Sequence, residues 1–240
     1  MKEVLVIISL LLISVRVNSQ NTARGFFDQA FDKNELKDYQ GAIGDYTKAI
    51  EIFADFDLAY LNRGLVKIRI EDYYGAIADY NKAIEIGYVP ISRVYAARGQ
   101  AKVKLKDYYG AIADFNKVIE LDFLNLFSQD IYNDMGLVKN LLKDYDGAIA
   151  DLNKAIEIYP KNASYYFQRG NSKTGLEDYY GAIADYMKSI EIKPNFADAY
   201  NNSGAAKVYL GDLNGACVDM RKALELGNIS SKPYVDAYCK

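Results

Sequence analysis

The chain has 240 residues, half of them apolar, with 29 Lys and Arg against 32 Asp and Glu and no histidine. That balance lacks the positive surplus a phosphate backbone requires, so nucleic acid is not expected as a partner. The missing histidine removes imidazole acid–base chemistry, imidazole metal sites and the usual Ser-His-Asp and Cys-His arrangements.

Residues 1–19 differ in kind from the rest. Lys2 precedes an apolar run from Val4 to Ile13 broken only by Ser9, and Val17-Asn18-Ser19 offers small residues at a cleavage point. The pattern is that of a cleaved export signal. A bilayer span needs about 20 apolar residues and Arg16 interrupts this run too early, so no stable span is expected after cleavage.

From there the chain repeats one phrase, DYYGAIADYNKAIEI at Asp72–Ile86, with small changes. Its Gly-Ala pair recurs at Gly41, Gly75, Gly110, Gly147, Gly181 and Gly215, at intervals of 34, 35, 37, 34 and 34 residues. A period near 34 predicts stacked helical hairpins. Within the phrase, Asp72 is an N-cap, and Ala76, Ile77, Tyr80, Ala83 and Ile84 fall on one helical face. Upstream, Ala59–Ile70 carries Tyr60, Gly64 and Ile68 four residues apart, which predicts the partner helix. The glycine in every copy costs helix propensity, up to about 1 kcal/mol relative to Ala. Close contact with the preceding helix is the expected reason.

Counting positions so that the Ala after that Gly is position 20, position 4 holds Phe26, Tyr60, Tyr95, Tyr132, Tyr166 and Tyr200. Position 8 is small throughout: Ala30, Gly64, Gly99, Gly136, Gly170 and Gly204. Position 24 is Tyr46, Tyr80, Phe115, Leu152, Tyr186 and Met220, and Pro160 and Pro194 close second helices at position 32. This pattern, over Ala23 to about Leu226, resembles the tetratricopeptide repeat (TPR). The resemblance implies an all-α fold, a right-handed superhelical solenoid of six helical hairpins with a C-terminal capping helix. The six repeats are read at about 23–56, 57–91, 92–128, 129–162, 163–196 and 197–227, with a cap at 228–240. The largest insertion falls at the joint FLNLFSQ, which begins at Phe123.

One departure from the family is position 11, which is Lys33, Lys67, Lys102, Lys139, Lys173 and Lys207 in place of a bulky apolar residue. Position 23 is Asp in all six copies, and position 7 adds Arg63, Arg98 and Arg169. Equal numbers of Lys and Asp predict a ladder of paired charges between neighbouring helices rather than a charged ligand track, because buried charges persist mainly when paired.

In the family the first helices line a concave groove. The corresponding positions here are apolar in the first two repeats, with Phe27, Phe31, Leu61, Leu65 and Ile68. They are mixed in the third, with Arg93, Gln100 and Lys104, and largely polar after it, with Asn133, Leu137, Asn140, Phe167, Asn171 and Asn201. The family's clamp for a terminal carboxylate is not carried over, since Phe27 and Phe31 stand where its Lys and Asn would be.

The resemblance extends to the C-terminus. A GAC phrase at Cys217 followed by a terminal YC at Cys239 resembles the ending of exported bacterial TPR proteins. With an oxidising compartment this implies a disulfide between Cys217 and Cys239 that ties down a capping helix, capped by Ser230 or Ser231 and opened by Pro233. No phosphate loop, dinucleotide turn, calcium loop or catalytic carboxylate pair is recognisable, so no catalytic residue, metal or cofactor is expected. The expected function is a non-enzymatic scaffold of an exported compartment, periplasmic or secreted, that binds a protein or peptide in its groove. The alternative is a small-ligand or glycan binder using exposed aromatics.

Overall fold

The computed structural model describes residues 22–87, 90–121 and 128–239. The expected export signal and the joint at 122–127 lie outside them. The described residues fall into two compact units, one ending at Leu121 and the other beginning at Ser128. In the first, α1 covers 22–35 and is followed by α2 (Tyr39–Ile52), α3 (Asp57–Arg69), α4 (Tyr73–Ile86), α5 (Ile91–Lys104) and α6 (Tyr108–Leu121). In the second, α7 (Ser128–Leu141), α8 (Tyr145–Ile158), α9 (Ala163–Gly175), α10 (Tyr179–Ile192), α11 (Ala197–Tyr209) and α12 (Leu213–Glu225) lead to a 3-10 turn (Ile229–Ser231) and α13 (Lys232–Tyr238). Among the described residues the regular structure is wholly helical, and within each unit consecutive helices pack as the hairpins of a TPR solenoid.

Each hairpin reverses through a single aspartate. In the second repeat Ile70 ends α3, Glu71 takes a left-handed conformation at φ 62°, and the Asp72 amide donates to the Lys67 carbonyl at 2.9 Å. This closes the orphan carbonyls of the first helix in the Schellman manner. The Asp72 carboxylate then accepts from the Gly75 amide at 2.9 Å and so starts α4. Asp38, Asp107, Asp144, Asp178 and Asp212 make both contacts in the other hairpins. The recurring glycine is thereby explained, and the expected cause is corrected: a Cβ on Gly75 would meet not the preceding helix but Asp72 Oδ2, at 2.1 Å.

Position 8 works differently. A Cβ on Gly99 would stand 2.6 Å from the Phe115 ring, so the missing side chain lets α5 close on α6. Tyr46, Tyr80, Phe115, Leu152 and Tyr186 fill these gaps and are almost wholly buried. Each buried side chain of this size contributes about 1.5–3 kcal/mol of transfer free energy.

The C-terminal cap is the start of a seventh repeat. Ser231 follows Ala197 at the repeat interval and Tyr234 stands in register with Tyr200. The Cys217–Cys239 disulfide joins α12 to the end of α13, across 22 residues of chain, and the Arg221 guanidinium donates to the Cys239 carbonyl. The expected serine cap is absent. Ser231 is itself helical at φ −73° and ψ −20°, and its hydroxyl donates to Asn201 Oδ1 at 2.8 Å instead. Asn228 takes the capping role one turn earlier, accepting from the Ser230 amide at 3.0 Å.

Candidate functional site

The charges of the hairpins are spent internally. Within each repeat the position-11 lysine reaches the position-23 aspartate: Lys33–Asp45 at 2.5 Å, Lys67–Asp79 and Lys102–Asp114 at 2.8 Å, Lys139–Asp151 at 2.6 Å, Lys173–Asp185 at 2.7 Å and Lys207–Asp219 at 2.6 Å. Where position 7 is arginine, a fork-like pair is added, as in Arg98 Nε and Nη2 donating to Asp114 at 2.9 and 2.6 Å. The remaining Nη1 of that arginine donates to Asn81 on the second helix of the preceding hairpin, and Arg63 and Arg169 reach Thr47 and Asn153 alike. Each of the three also lies over the tyrosine one turn earlier, Tyr60, Tyr95 or Tyr166. These groups tie one hairpin to the next.

The fourth repeat lacks the arginine, having Met135 in its place, and its carboxylate behaves differently. Burial pushes Asp151 above the ordinary carboxylate range, with Lys139 only partly offsetting it. In the first repeat the Lys33 hydrogen bond holds Asp45 below that range, opposed by burial and assisted by Lys48.

The candidate groove residues divide by unit. In the first unit Phe27 and Leu61 do not present a surface, and their placement in the groove is corrected. Phe27 is 8% exposed, stacked at 5.1 Å on Phe56, the residue that leads into α3, and Leu61 is 3% exposed in a cluster with Tyr80 and Val94. Their position on the first helix faces the following hairpin, so stacking of repeats covers it. The other six come together. Phe31, Leu65, Ile68 and Arg93, with Asn34, Asn62 and Arg69, line an open pocket of about 450 Å³. Leu65 and Ile68 also wall a second pocket, of about 130 Å³, with Gln100, Lys104, Ala97 and Ala101 around Tyr80. Phe31 is 49% exposed. Among the described residues Arg69, Arg93 and Lys104 make no ion pair, in contrast to the lysines and arginines of the ladder.

In the second unit much of the amide chemistry is already used. Asn171 Oδ1 accepts from the Tyr186 hydroxyl and from Asn202 Nδ2, each at 2.9 Å, and Asn201 accepts from Ser231. Phe167 packs on Tyr186 and Phe196, at 5.8 and 4.8 Å. On α7, Asn133, Leu137 and Asn140 are half-buried on one face, and Asn133 Oδ1 and both amide atoms of Asn140 are buried without a hydrogen-bond partner among the described residues.

Sequence reasoning missed Arg69, Asn62 and Tyr80. For Tyr80 a signal is present: the residues at positions 9 and 12 of its repeat are Leu65 and Ile68, where the fifth repeat has Asn171 and Thr174. Among the described residues no helix is long and apolar enough to cross a membrane, and no cluster of His, Cys, Asp or Glu could hold a metal ion.

A tetratricopeptide repeat model matches residues 58–86, 92–123, 163–196 and 197–226, just over half of the chain, and a second TPR model matches 136–176. The chain belongs to the tetratricopeptide repeat family. No curated protein matches it significantly. Several solved structures share the fold. The C-terminal part of a TPR repeat-containing protein from Cytophaga hutchinsonii is 18% identical with a TM-score of 0.74, over 89% of this chain and 87% of that one. MamA protein is 26% identical with a TM-score of 0.65, over 75% of this chain and 96% of its own. YrrB, described as a TPR protein with an unusual peptide-binding site, is 24% identical with a TM-score of 0.62, over 76% and 92%.

Proposed function

We propose that this protein is a non-enzymatic interaction scaffold that holds an extended peptide segment of a partner protein against the first unit. One observation carries the reading. Phe31, Leu65 and Ile68 line two adjoining pockets, on a surface whose cations Arg69, Arg93 and Lys104 make no ion pair among the described residues. Apolar surface of this kind, rimmed by polar groups, marks interaction sites. The six TPR repeats from residue 23 to 227 serve as the frame, and residues 228–240 serve as the cap. Residues 1–19 act as a leader that sends the chain to a periplasmic or extracellular compartment, a setting in which the Cys217–Cys239 disulfide persists.

Panning a displayed library of random peptides on the protein tests the reading. Selected peptides are then titrated against Phe31→Glu and Leu65→Glu, and against Tyr109→Ser, a change at an exposed tyrosine outside both pockets. Loss of binding in the first two variants and retention in the third is expected. Binding that survives both glutamate substitutions would refute it.

A further inference from the structure

Tyr80 and Tyr186 occupy the same repeat position and are equally buried, but their hydroxyls differ in what they meet. The Tyr186 hydroxyl donates to Asn171 Oδ1 at 2.9 Å and lies 3.0 Å from the Thr174 hydroxyl. In the second repeat those two partners are replaced by Leu65 and Ile68, and the Tyr80 hydroxyl has no hydrogen-bond partner among the described residues. A buried hydroxyl left without a partner is destabilising, because it gives up its hydrogen bonds to water and gains none. Tyr80 is 0% exposed, yet it lines the pocket of about 130 Å³ whose walls are Leu65, Ile68, Ala97 and Ala101 and whose rim holds Gln100 and Lys104. A cavity of about 150 Å³ accepts benzene, so this one has room for a side chain.

We propose that this pocket is a glutamate-accepting subsite of the groove, in which the methylenes of a partner's Glu side chain lie against Leu65, Ile68 and Ala97. Its carboxylate accepts from the Tyr80 hydroxyl and pairs with the Lys104 ammonium. The proposal rests on the reading of the first unit as a peptide-binding surface and names what one pocket of it recognises. Three features favour a carboxylate over a neutral or basic end group. An orphan hydroxyl is a donor in search of an acceptor. Burial and the neighbouring Asp79 push the Tyr80 phenol well above its usual range, so it stays protonated at any physiological pH. Lys104 supplies a cation with no ion pair among the described residues, and no acidic residue lines the pocket. The apolar walls favour Glu over Asp, because the longer stem carries the charge past the methyl groups.

The test uses a capped pentapeptide, acetyl-Ser-Leu-Glu-Leu-Ser-amide, its Gln counterpart, and a peptide whose only carboxylate is a free C-terminus. These are titrated against the protein, Tyr80→Phe and Lys104→Gln. Tyr80→Phe removes only an unpartnered hydroxyl, so its unfolding midpoint should not fall. Hydrogen bonds to charged groups imply a loss of about tenfold or more for the Glu peptide in each variant. The Gln peptide should bind about tenfold more weakly than the Glu peptide and be insensitive to Lys104→Gln. Equal binding of the Glu and Gln peptides, or unchanged Glu-peptide affinity in Tyr80→Phe, would overturn the subsite while leaving the groove reading intact. Dependence on Tyr80 and Lys104 seen only with the free C-terminus would overturn the assignment to a side chain. Failure of all three peptides, together with library peptides indifferent to Phe31→Glu and Leu65→Glu, would overturn the groove reading with it.

Discussion

Asp107 and Gly110 are bound to each other by an absence: the Asp107 carboxylate accepts from the Gly110 amide at 3.0 Å and occupies the space a Cβ on Gly110 would need, 2.1 Å from Oδ2. The same pair recurs in all six hairpins. Glycine is therefore retained for the cap of the second helix, at a cost in helix propensity of up to about 1 kcal/mol per copy.

Non-additive mutants follow from this pair. Gly110→Ala should destabilise the protein despite the better helix propensity of Ala, because it displaces a cap worth about 1 kcal/mol. In an Asp107→Ala background the same substitution should be neutral or stabilising. Urea unfolding of the two single variants and the double variant gives the coupling, and additive effects would contradict the steric link.

The charge ladder makes an asymmetric prediction. Asp114→Asn leaves Arg98 and Lys102, both largely buried, without their carboxylate, and should cost about 3–5 kcal/mol. Arg98→Met should cost less, because Asp114 keeps Lys102 and the fourth repeat already combines Met135 with Lys139 and Asp151. Equal losses in the two variants, read as denaturant midpoints, would contradict the pairing.

Asp45 and Asp151 should respond to acid in opposite senses. Asp45 titrates below its unfolded range of about 3.9, so its contribution to stability is present above that pH and is lost as pH falls through its folded value. Asp151 titrates above that range, so the fold favours its protonated form, and its contribution improves as pH falls through its folded value toward about 3.9. Supplying the missing guanidinium with Met135→Arg should lower the Asp151 value. Carboxyl-carbon NMR titration measures both groups, and an unchanged Asp151 in the variant would show that one cation already suffices.

The unreduced, denatured protein should show no free thiol, and two after reduction. Closing a loop between residues 22 positions apart contributes about 3 kcal/mol, mainly by restricting the unfolded chain. Cys239→Ser should therefore lower the unfolding midpoint and increase amide exchange in α13 first, since that helix has only seven residues.

Much of this was legible in the chain. The repeat interval, the small residue at position 8 and the aromatic at position 24 specify stacked hairpins, and the matched counts of Lys and Asp foretold a ladder. What periodicity does not encode is direction around the helix. It marks Phe27 and Leu61 as apolar, as it does Phe31 and Leu65, but not which of them the next hairpin covers. The partner of the recurring glycine was hidden for a similar reason, because a side chain three residues away competes for the same space only once the turn is built. The orphan hydroxyl of Tyr80 emerges only when repeats are compared at the two positions that surround it.

The central claim is that a partner peptide lies on the Phe31, Leu65 and Ile68 face of the first unit. Its most direct test is photo-cross-linking with library-selected peptides carrying a benzophenone, followed by mass-spectrometric mapping on the intact protein. Adducts concentrated on α1, α3 and α5 around Phe31, Leu65, Ile68 and Gln100 are the expected result. Adducts concentrated instead on the exposed tyrosines at the starts of the second helices, Tyr74, Tyr109 and Tyr180, would contradict the account.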